Sequence, residues 1–178
     1  KNKQIAMILK LIMDCNFRIG NDKYTKENNS YGVSTLQGKH IKTNDGIIID
    51  FVGKKGVKNT CKIVDPKMKS NLRTKKKKYK NNENIFQYTK DGQNYTIKSD
   101  DVNDYLGEYT TKNFRTWSAN VLLIQNLLKD KGKVKKSIEF VADKLHHTPS
   151  ICKKNYIDPK LVEYYERDPD KFCKFFKG

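Results

Sequence analysis

Apolar residues recur at helical spacing at the start of the chain. They lie three or four positions apart, at Ile5, Ile8, Leu9 and Ile12. This spacing is typical of a helix that buries one face. The polar residues Asp14 and Asn16 follow closely, so the segment is a poor match to a signal peptide. Gly20 and Asn21 are expected to break the helix, which leaves Arg18 at its C-terminal end.

Residues 39–64 have the pattern of β-strands joined by short turns. The segments KHIKT, IIIDFV and TCKIV are rich in β-branched residues and are separated by NDG and GKKGVKN. Asp-Gly and paired glycines between such segments are typical of hairpins. The pattern therefore predicts a small antiparallel sheet with Lys54 and Lys55 at the tip of one hairpin.

A basic segment extends from Lys54 to Lys80 and contains a single acid, Asp65. Such a run of like charge is typical of a solvated arm or loop that contacts phosphate. We therefore expect DNA contacts from three of its lysines: Lys75, Lys76 and Lys77.

The remainder of the chain is predicted to be helical. Helix starts are indicated by Ser99, by the threonine pair at 110–111, by Thr148–Pro149, by Asp158–Pro159 and by Asp168–Pro169, because these residues cap or open helices. One apolar stripe is predicted to be core: Phe114, Trp117, Val121, Ile124 and Leu128. A second continues it: Val134, Ile138, Val141 and Leu145. Tyr156 falls between two helix starts, where a side chain can point outward.

These elements predict an α+β fold that is mainly α-helical and carries a small antiparallel sheet. The 178 residues suit a single domain. The net charge of +17, from 37 basic and 20 acidic residues, points to a polyanionic partner. Double-stranded DNA is the first to consider. A membrane is not expected as a partner, because no apolar run approaches 18 residues.

The four cysteines are Cys15, Cys61, Cys152 and Cys173. Their wide spacing, without a CxxC pair, fits neither a zinc ribbon nor a compact disulfide scaffold. We therefore expect reduced thiols. Acidic residues are scattered or lie at helix starts, so we expect no metal site and no cofactor.

Metal-free cleavage of a phosphodiester requires a nucleophile, cations around the phosphate and a proton for the leaving oxygen. A tyrosine has an ordinary pKa of about 10 and reacts only where positive charge favours the phenolate or a base takes its proton. Tyr156 follows Lys153 and Lys154, with His146 and His147 shortly before them. These residues alone do not decide whether Tyr156 is a reagent or a packing residue.

Five ordered stretches resemble those of a known family, and this resemblance favours Tyr156 as a nucleophile. They are NFRIGNDKY, GVSTLQGKHI, IIIDFVGKKGV, KNFRTWSAN and HHTPSICKKNYIDP. In this order they resemble the catalytic domain of the type IB DNA topoisomerases, in particular the small enzymes of poxviruses and giant viruses and their bacterial counterparts. The resemblance implies the catalytic-domain fold that these enzymes share with the tyrosine recombinases.

The resemblance also implies the site residues. Tyr156 would attack the scissile phosphate, form a 3′-phosphotyrosyl link and release a 5′-hydroxyl, with no need of ATP. Arg18 and Arg115 would bracket the non-bridging oxygens, a task that suits the planar guanidinium. Lys54 would protonate the 5′ oxygen, with Lys55 as the competing candidate. His147, nine residues before Tyr156, would donate a hydrogen bond to a non-bridging oxygen.

Other residues are expected to contact DNA or to support the fold. The expected DNA contacts, besides those of the basic segment, are Lys23, Tyr24, Lys55, Lys153 and Lys154. His146 is expected to be structural, and the resemblance gives His40 no catalytic role.

Two alternatives remain at this point. A tyrosine recombinase or integrase shares the fold, but it usually carries histidine where this chain has Lys112, in KNFR. A non-catalytic basic domain could coat DNA through the lysines alone.

The family resemblance covers residues 1–178 as one catalytic domain. Family members also carry an amino-terminal β-rich domain and further upstream helices, which this sequence does not include, so we do not expect robust relaxation of supercoils by this chain alone. The resemblance further implies a monomer that acts on DNA inside the cell, or in a virion, viral factory or nucleus if the chain is viral, and that is not secreted.

Overall fold

The fold is known from a computed structural model that describes residues 1–130 and 133–177. The chain forms two compact units, Lys1–Thr111 and Lys112–Gly178. Within the described residues, no helix is both long enough and apolar enough to cross a membrane.

Unit 1 combines helices with two small sheets. Its helices are α1 (Asn2–Cys15), α2 (Asp22–Asn28), α3 (Pro66–Lys78) and α4 (Ser99–Leu106). Its strands are β1 (Ile41–Lys42), β2 (Ile48–Val52), β3 (Lys58–Lys62), β4 (Gln87–Lys90) and β5 (Gln93–Thr96). Strands β1, β2 and β3 form one antiparallel sheet, and β4 and β5 form a separate antiparallel hairpin. The predicted mainly helical α+β class with a small antiparallel sheet is confirmed.

Helix α1 forms as the apolar spacing predicts. Ile5, Ile8 and Ile12 are each at most 1 % exposed, and the helix ends at Cys15 with Asn16 in the left-handed conformation. Just beyond it, the rings of Phe17 and Phe51 meet edge to face, with centroids 4.9 Å apart. This contact packs the chain after α1 against strand β2.

The basic segment is structured, so the prediction of a solvated arm or loop is wrong. It comprises the turn Lys54–Gly56, strand β3 and helix α3. Asp65 caps α3 by accepting a hydrogen bond from the Met68 N–H at 2.6 Å, and Pro66 opens the helix. Charge alone predicted a loop, but the capping signal Asp-Pro overrides it.

The hairpin of β4 and β5 was missed by the prediction that this part of the chain is helical. Its turn is Asp91–Gly92, and both residues have positive φ. An Asp-Gly pair is a strong hairpin signal, so the sequence did contain the information.

Unit 2 consists of helices joined by short turns, with no strand among its described residues. Its helices are α5 (Thr111–Asp130, which begins at the last residue of unit 1), α6 (Val134–Lys144), α7 (Pro149–Asn155), α8 (Pro159–Arg167) and α9 (Pro169–Lys177). Thr148 and Asp158 cap α7 and α8 through their side chains, which confirms both predicted starts.

The predicted core stripe of α5 is wrong at Trp117, whereas its members Ile124 and Leu128 are partly buried against the core of unit 2. Trp117 is 65 % exposed, whereas the fully buried apolar residues of α5 are Ala119, Leu123 and Leu127. Helix α5 has apolar residues on more than one face, so periodicity could not tell which face is buried. The stripe of α6 is confirmed at Ile138, Val141 and Leu145.

Two of the four cysteines are joined, which corrects the expectation of reduced thiols. Cys15 at the end of α1 and Cys61 on β3 form a disulfide across 46 positions, with Cα atoms 5.8 Å apart. Cys152 and Cys173 are free and buried. Wide spacing in sequence did not exclude the pairing, because the fold brings α1 and β3 together.

We expect the Cys15→Ser, Cys61→Ser double variant to be less stable than the unsubstituted protein. A cross-link over this separation stabilises by up to about 4 kcal/mol, because it restricts the unfolded chain. Urea unfolding followed by circular dichroism measures the difference. Reductant should lower the unfolding midpoint of the unsubstituted protein and leave that of the double variant unchanged. An unsubstituted protein insensitive to reductant would contradict the prediction.

Candidate active site

An open cleft of about 580 Å³ in unit 1 contains two of the predicted catalytic residues. Its lining includes Arg18, Tyr24, Lys54 and Lys55. Arg18 comes from the segment after α1, whereas Lys54 comes from the turn between β2 and β3. The fold therefore brings a guanidinium and an ammonium group, distant in sequence, to one surface depression.

The backbone of the Arg18 segment is fixed by a close contact between two glycines. A Cβ atom on Gly32 would lie 2.4 Å from the Gly20 Cα, so neither position has room for a side chain. Gly20 also has a φ of +94°, which favours glycine. The Arg18 carbonyl accepts a hydrogen bond from the Val33 N–H at 2.9 Å. These constraints hold the backbone of Arg18 in place beside the cleft that this residue lines.

Lys54 lies at the tip of the hairpin, as predicted. In the turn, Lys55 and Gly56 both have positive φ, and the Gly53 N–H donates to the Val57 carbonyl at 2.8 Å. The Lys54 side chain is exposed, and its Nζ is 5.7 Å from the centre of the Tyr24 ring. Lys54 can therefore reach a ligand that enters the cleft.

In unit 2, the predicted catalytic arginine is buried. Arg115 on α5 is 3 % exposed. One terminal nitrogen, Nη2, donates to the Leu145 carbonyl at 3.0 Å and lies 2.8 Å from Nε2 of His147. Because a guanidinium can only donate, Nε2 accepts, and the neutral His147 ring carries its proton on Nδ1.

The end of α6 fixes the position of His147. The His147 N–H donates to the Ala142 carbonyl at 2.9 Å and the His146 N–H to the Asp143 carbonyl at 3.0 Å. With His146 at a φ of 56°, this is a Schellman motif, in which the residue before His147 adopts the left-handed conformation. His146 thus shapes the helix end, and the His147 side chain lies against Arg115.

Tyr156 ends helix α7 and lies beside both groups. The centres of the Tyr156 and His147 rings are 4.9 Å apart, and the Cζ of Arg115 is 5.4 Å from the centre of the Tyr156 ring. The tyrosine is half-buried. Three of the five predicted catalytic side chains are therefore grouped within unit 2.

Asn120 is a residue of this group that the sequence analysis missed. Its amide nitrogen donates to the Tyr156 carbonyl at 2.8 Å, and its amide oxygen accepts from the Asp158 N–H at 2.8 Å. The same side chain also donates to the Thr116 carbonyl on its own helix. Asn120 therefore ties α5 to the turn that carries Tyr156. The sequence shows only a polar residue within a predicted helix. Such a residue is as often exposed to solvent as it is hydrogen-bonded to another segment, so its role could not be predicted.

One predicted DNA contact is wrong. Lys75 is 7 % exposed, and its Nζ donates to the Gln4 side chain at 2.7 Å and to the Ile85 carbonyl. Burial lowers the pKa of Lys75 to about 8. The side chain faces the interior of unit 1, because α3 is a helix and not a loop, so it is not accessible to a phosphate.

The other predicted DNA contacts lie at the surface, with one partial exception. Lys76 is half-buried and donates to the Gly38 carbonyl at 2.9 Å. The exposed ones are Lys23, Tyr24, Lys55, Lys77, Lys153 and Lys154. All six can meet an external polyanion.

Two further groups with possible chemistry are structural. His40 is 5 % exposed and its Nδ1 accepts from the Gln37 N–H at 2.9 Å. Burial, with Lys39 and Lys42 nearby, lowers the pKa of His40 to about 4, so the ring is neutral at neutral pH. Burial raises the pKa of the Cys152 thiol to about 11, which makes it a poor nucleophile. Among residues 1–130 and 133–177, no group of three or more His, Cys, Asp and Glu side chains could hold a metal ion.

A family model and several curated proteins match this chain. Residues 1–171 match the model described as the catalytic core of eukaryotic DNA topoisomerase I. DNA topoisomerase 1B of Acanthamoeba polyphaga mimivirus is 32 % identical over 203 residues, which cover 98 % of this chain and 58 % of the relative. DNA topoisomerase 1 of rabbit fibroma virus is 30 % identical, with coverage of 90 % and 54 %. The chain therefore spans little more than half the length of these relatives.

We expect Asn120→Ala to loosen the turn that carries Tyr156. Loss of the amide breaks the hydrogen bonds to Tyr156 and Asp158, and a local loss of roughly 1.4 kcal/mol would speed exchange about tenfold. Amide hydrogen exchange of the Asp158 N–H measures the effect.

Asn155→Ala is the matched control for this measurement. The Asn155 amide bonds only one turn back, to the Ile151 carbonyl at 3.0 Å, so its loss should leave the exchange of Asp158 unchanged. Equal exchange in the Asn120→Ala and unsubstituted proteins would show that Asn120 does not hold the turn.

Proposed function

This chain belongs to the family of the catalytic core of eukaryotic DNA topoisomerase I, and from that premise we propose that it cuts and rejoins one strand of duplex DNA through a covalent link to Tyr156. The cycle lets the cut strand rotate and so relaxes supercoils. Because the chain spans little more than half of its curated relatives, relaxation is proposed for the protein that contains it.

The cleavage step exchanges one phosphodiester for another. The Tyr156 oxygen loses its proton to solvent and forms a bond to the scissile phosphorus, while the bond between phosphorus and the 5′ oxygen breaks. Lys54 gives a proton to that 5′ oxygen, which leaves as a hydroxyl. Religation is the reverse, in which the 5′-hydroxyl attacks and Tyr156 leaves. Since one ester replaces another, the reaction needs no ATP, and we propose that it needs no metal.

The remaining cationic and polar groups would stabilise the charge that develops on the phosphate. Arg18 and Arg115 would donate to the non-bridging oxygens, where a well-aimed donor is commonly worth about 3 to 4 kcal/mol. Because Arg115 is 3 % exposed, its donation would require DNA binding to uncover the guanidinium. The neutral His147 ring carries its proton on Nδ1 in the present arrangement, so donation by His147 would use Nδ1 or follow a change of partner at Nε2.

The observation that carries this proposal is the grouping of Tyr156 with Arg115 and His147. An arginine buried to 3 % exposure lies beside a tyrosine ring and within 2.8 Å of a histidine nitrogen. A nucleophile beside two groups that can donate hydrogen bonds to a phosphate is what the proposed cleavage step requires. A domain that only coats DNA has no need of such an arrangement.

Duplex DNA is the proposed substrate, and a monomer acting on DNA inside the cell is the proposed working form. The charge of +17 favours binding to the phosphate backbone. We propose the backbone contacts for the exposed residues at the surface: Lys23, Tyr24, Lys55, Lys77, Lys153 and Lys154. Lys76, which is half-buried, would contribute less.

We expect the unsubstituted chain to form a covalent adduct with DNA. A duplex with a nick or short end beside the cleavage site traps the adduct. The short strand that carries the released 5′-hydroxyl diffuses away, so it cannot be rejoined. A denaturing gel should show DNA of retarded mobility with the unsubstituted protein and none with Tyr156→Phe, which lacks the attacking oxygen.

Tyr105→Phe provides the matched control, because Tyr105 is 54 % exposed on α4 and its hydroxyl has no proposed role. This variant should form the adduct in normal yield. Absence of an adduct with the unsubstituted protein, or an undiminished adduct with Tyr156→Phe, would reject the proposed function.

A further inference from the structure

We propose that Asn59 is a positioning residue that holds the hairpin turn from which Lys54 delivers its proton. The inference rests on the proposed role of Lys54 as general acid. It assigns a function to a buried polar side chain that none of the sequence motifs singled out.

Asn59 is the buried polar residue of strand β3. It pairs with Phe51 across the β2–β3 ladder and is 6 % exposed, whereas its neighbours Lys58 and Thr60 face solvent. An amide at this position is costly unless it is hydrogen-bonded. An apolar side chain would suit the inward face of the strand better, so the amide needs another reason.

The Asn59 amide forms a hydrogen bond with the end of the turn that carries Lys54. Its Nδ2 donates to the Val57 carbonyl at 2.8 Å. The same carbonyl accepts from the Gly53 N–H at 2.8 Å. Gly53 and Val57 flank the turn residues, Lys54 to Gly56, so one oxygen joins both ends of the turn and the Asn59 amide holds that oxygen.

Gly53 is in contact with Asn59, and this contact explains why the position is a glycine. A Cβ atom at Gly53 would lie 2.5 Å from Nδ2 and 3.4 Å from Cγ of Asn59. The φ of Gly53 is −99°, which any residue can adopt, so the backbone conformation alone does not demand glycine. The demand comes from the Asn59 side chain, which fills the space next to the residue before Lys54.

This arrangement matters because the Lys54 side chain is long, flexible and exposed. The backbone of the turn is what fixes where its side chain starts, and thus where Nζ can reach. Displacement of a reacting group by about 1 Å can cost about a hundredfold in rate. A residue that fixes the turn therefore controls proton delivery without touching the DNA.

Cleavage kinetics on two matched DNA substrates test the inference. One has the ordinary 5′ oxygen, and the other has a bridging sulfur at that atom, which leaves as a thiolate without a proton. We expect Asn59→Ala to cleave the oxygen substrate about tenfold to a hundredfold more slowly. On the sulfur substrate its rate should be nearly that of the unsubstituted protein.

Two further variants make the outcomes distinguishable. Lys54→Ala should show the same pattern more strongly. Thr60→Ala is the matched control, because it removes a hydrogen bond to Asp50 of 2.8 Å from the outer face of the same strand, and it should be normal on both substrates. If Lys54→Ala recovers on sulfur and Asn59→Ala does not, the inference is wrong and the acid role of Lys54 stands. If Lys54→Ala is equally slow on both, the acid role is wrong and the inference fails with it.

A stability measurement tests the contact independently of any activity. Gly53→Ala should lower the urea midpoint of unfolding in the protein with Asn59. In the Asn59→Ala protein it should lower the midpoint by less, because the side chain that it would strike is gone. Effects of Gly53→Ala on unfolded-chain entropy are the same in both proteins and cancel. Equal shifts in the two proteins would overturn the inference.

Discussion

The geometry of unit 2 depends on one buried guanidinium. A charge removed from water is tolerated only where hydrogen bonds compensate it, and Arg115 finds an acceptor at the Leu145 carbonyl and another at His147. Both acceptors lie at the end of α6, and the Tyr156 ring at the end of α7 packs beside the same group. One side chain of α5 thus contacts two helix ends and lies beside the other two predicted catalytic side chains of unit 2.

In unit 1, backbone contacts fix the segments that carry Arg18 and Lys54. The Gly20–Gly32 contact fixes the segment that carries Arg18. The β2–β3 turn fixes the backbone position from which the Lys54 side chain extends. Both side chains line one open cleft.

The sequence predicted best what local interactions decide. The starts of α7 and α8 and the tip position of Lys54 follow from capping residues and turns, which act over a few positions. Long-range features were not predictable in this way. The phase of α5, which leaves Trp117 exposed, depends on which of its apolar faces finds a partner. The Cys15–Cys61 disulfide and the Asn120 tie join segments far apart in sequence. The candidate site residues were predicted from the order of five motifs. No single motif distinguishes a catalytic residue from a packing residue.

The chemical identity of the DNA link is the most direct test of the proposal that Tyr156 is the nucleophile. The covalent complex is digested with protease and nuclease, and mass spectrometry identifies the peptide that retains a nucleotide. We predict one modified residue, Tyr156, joined to a 3′-phosphate, and a released strand whose 5′-hydroxyl a polynucleotide kinase can label directly. A nucleotide on any other residue, or a link to the 5′ side of the break, would contradict it.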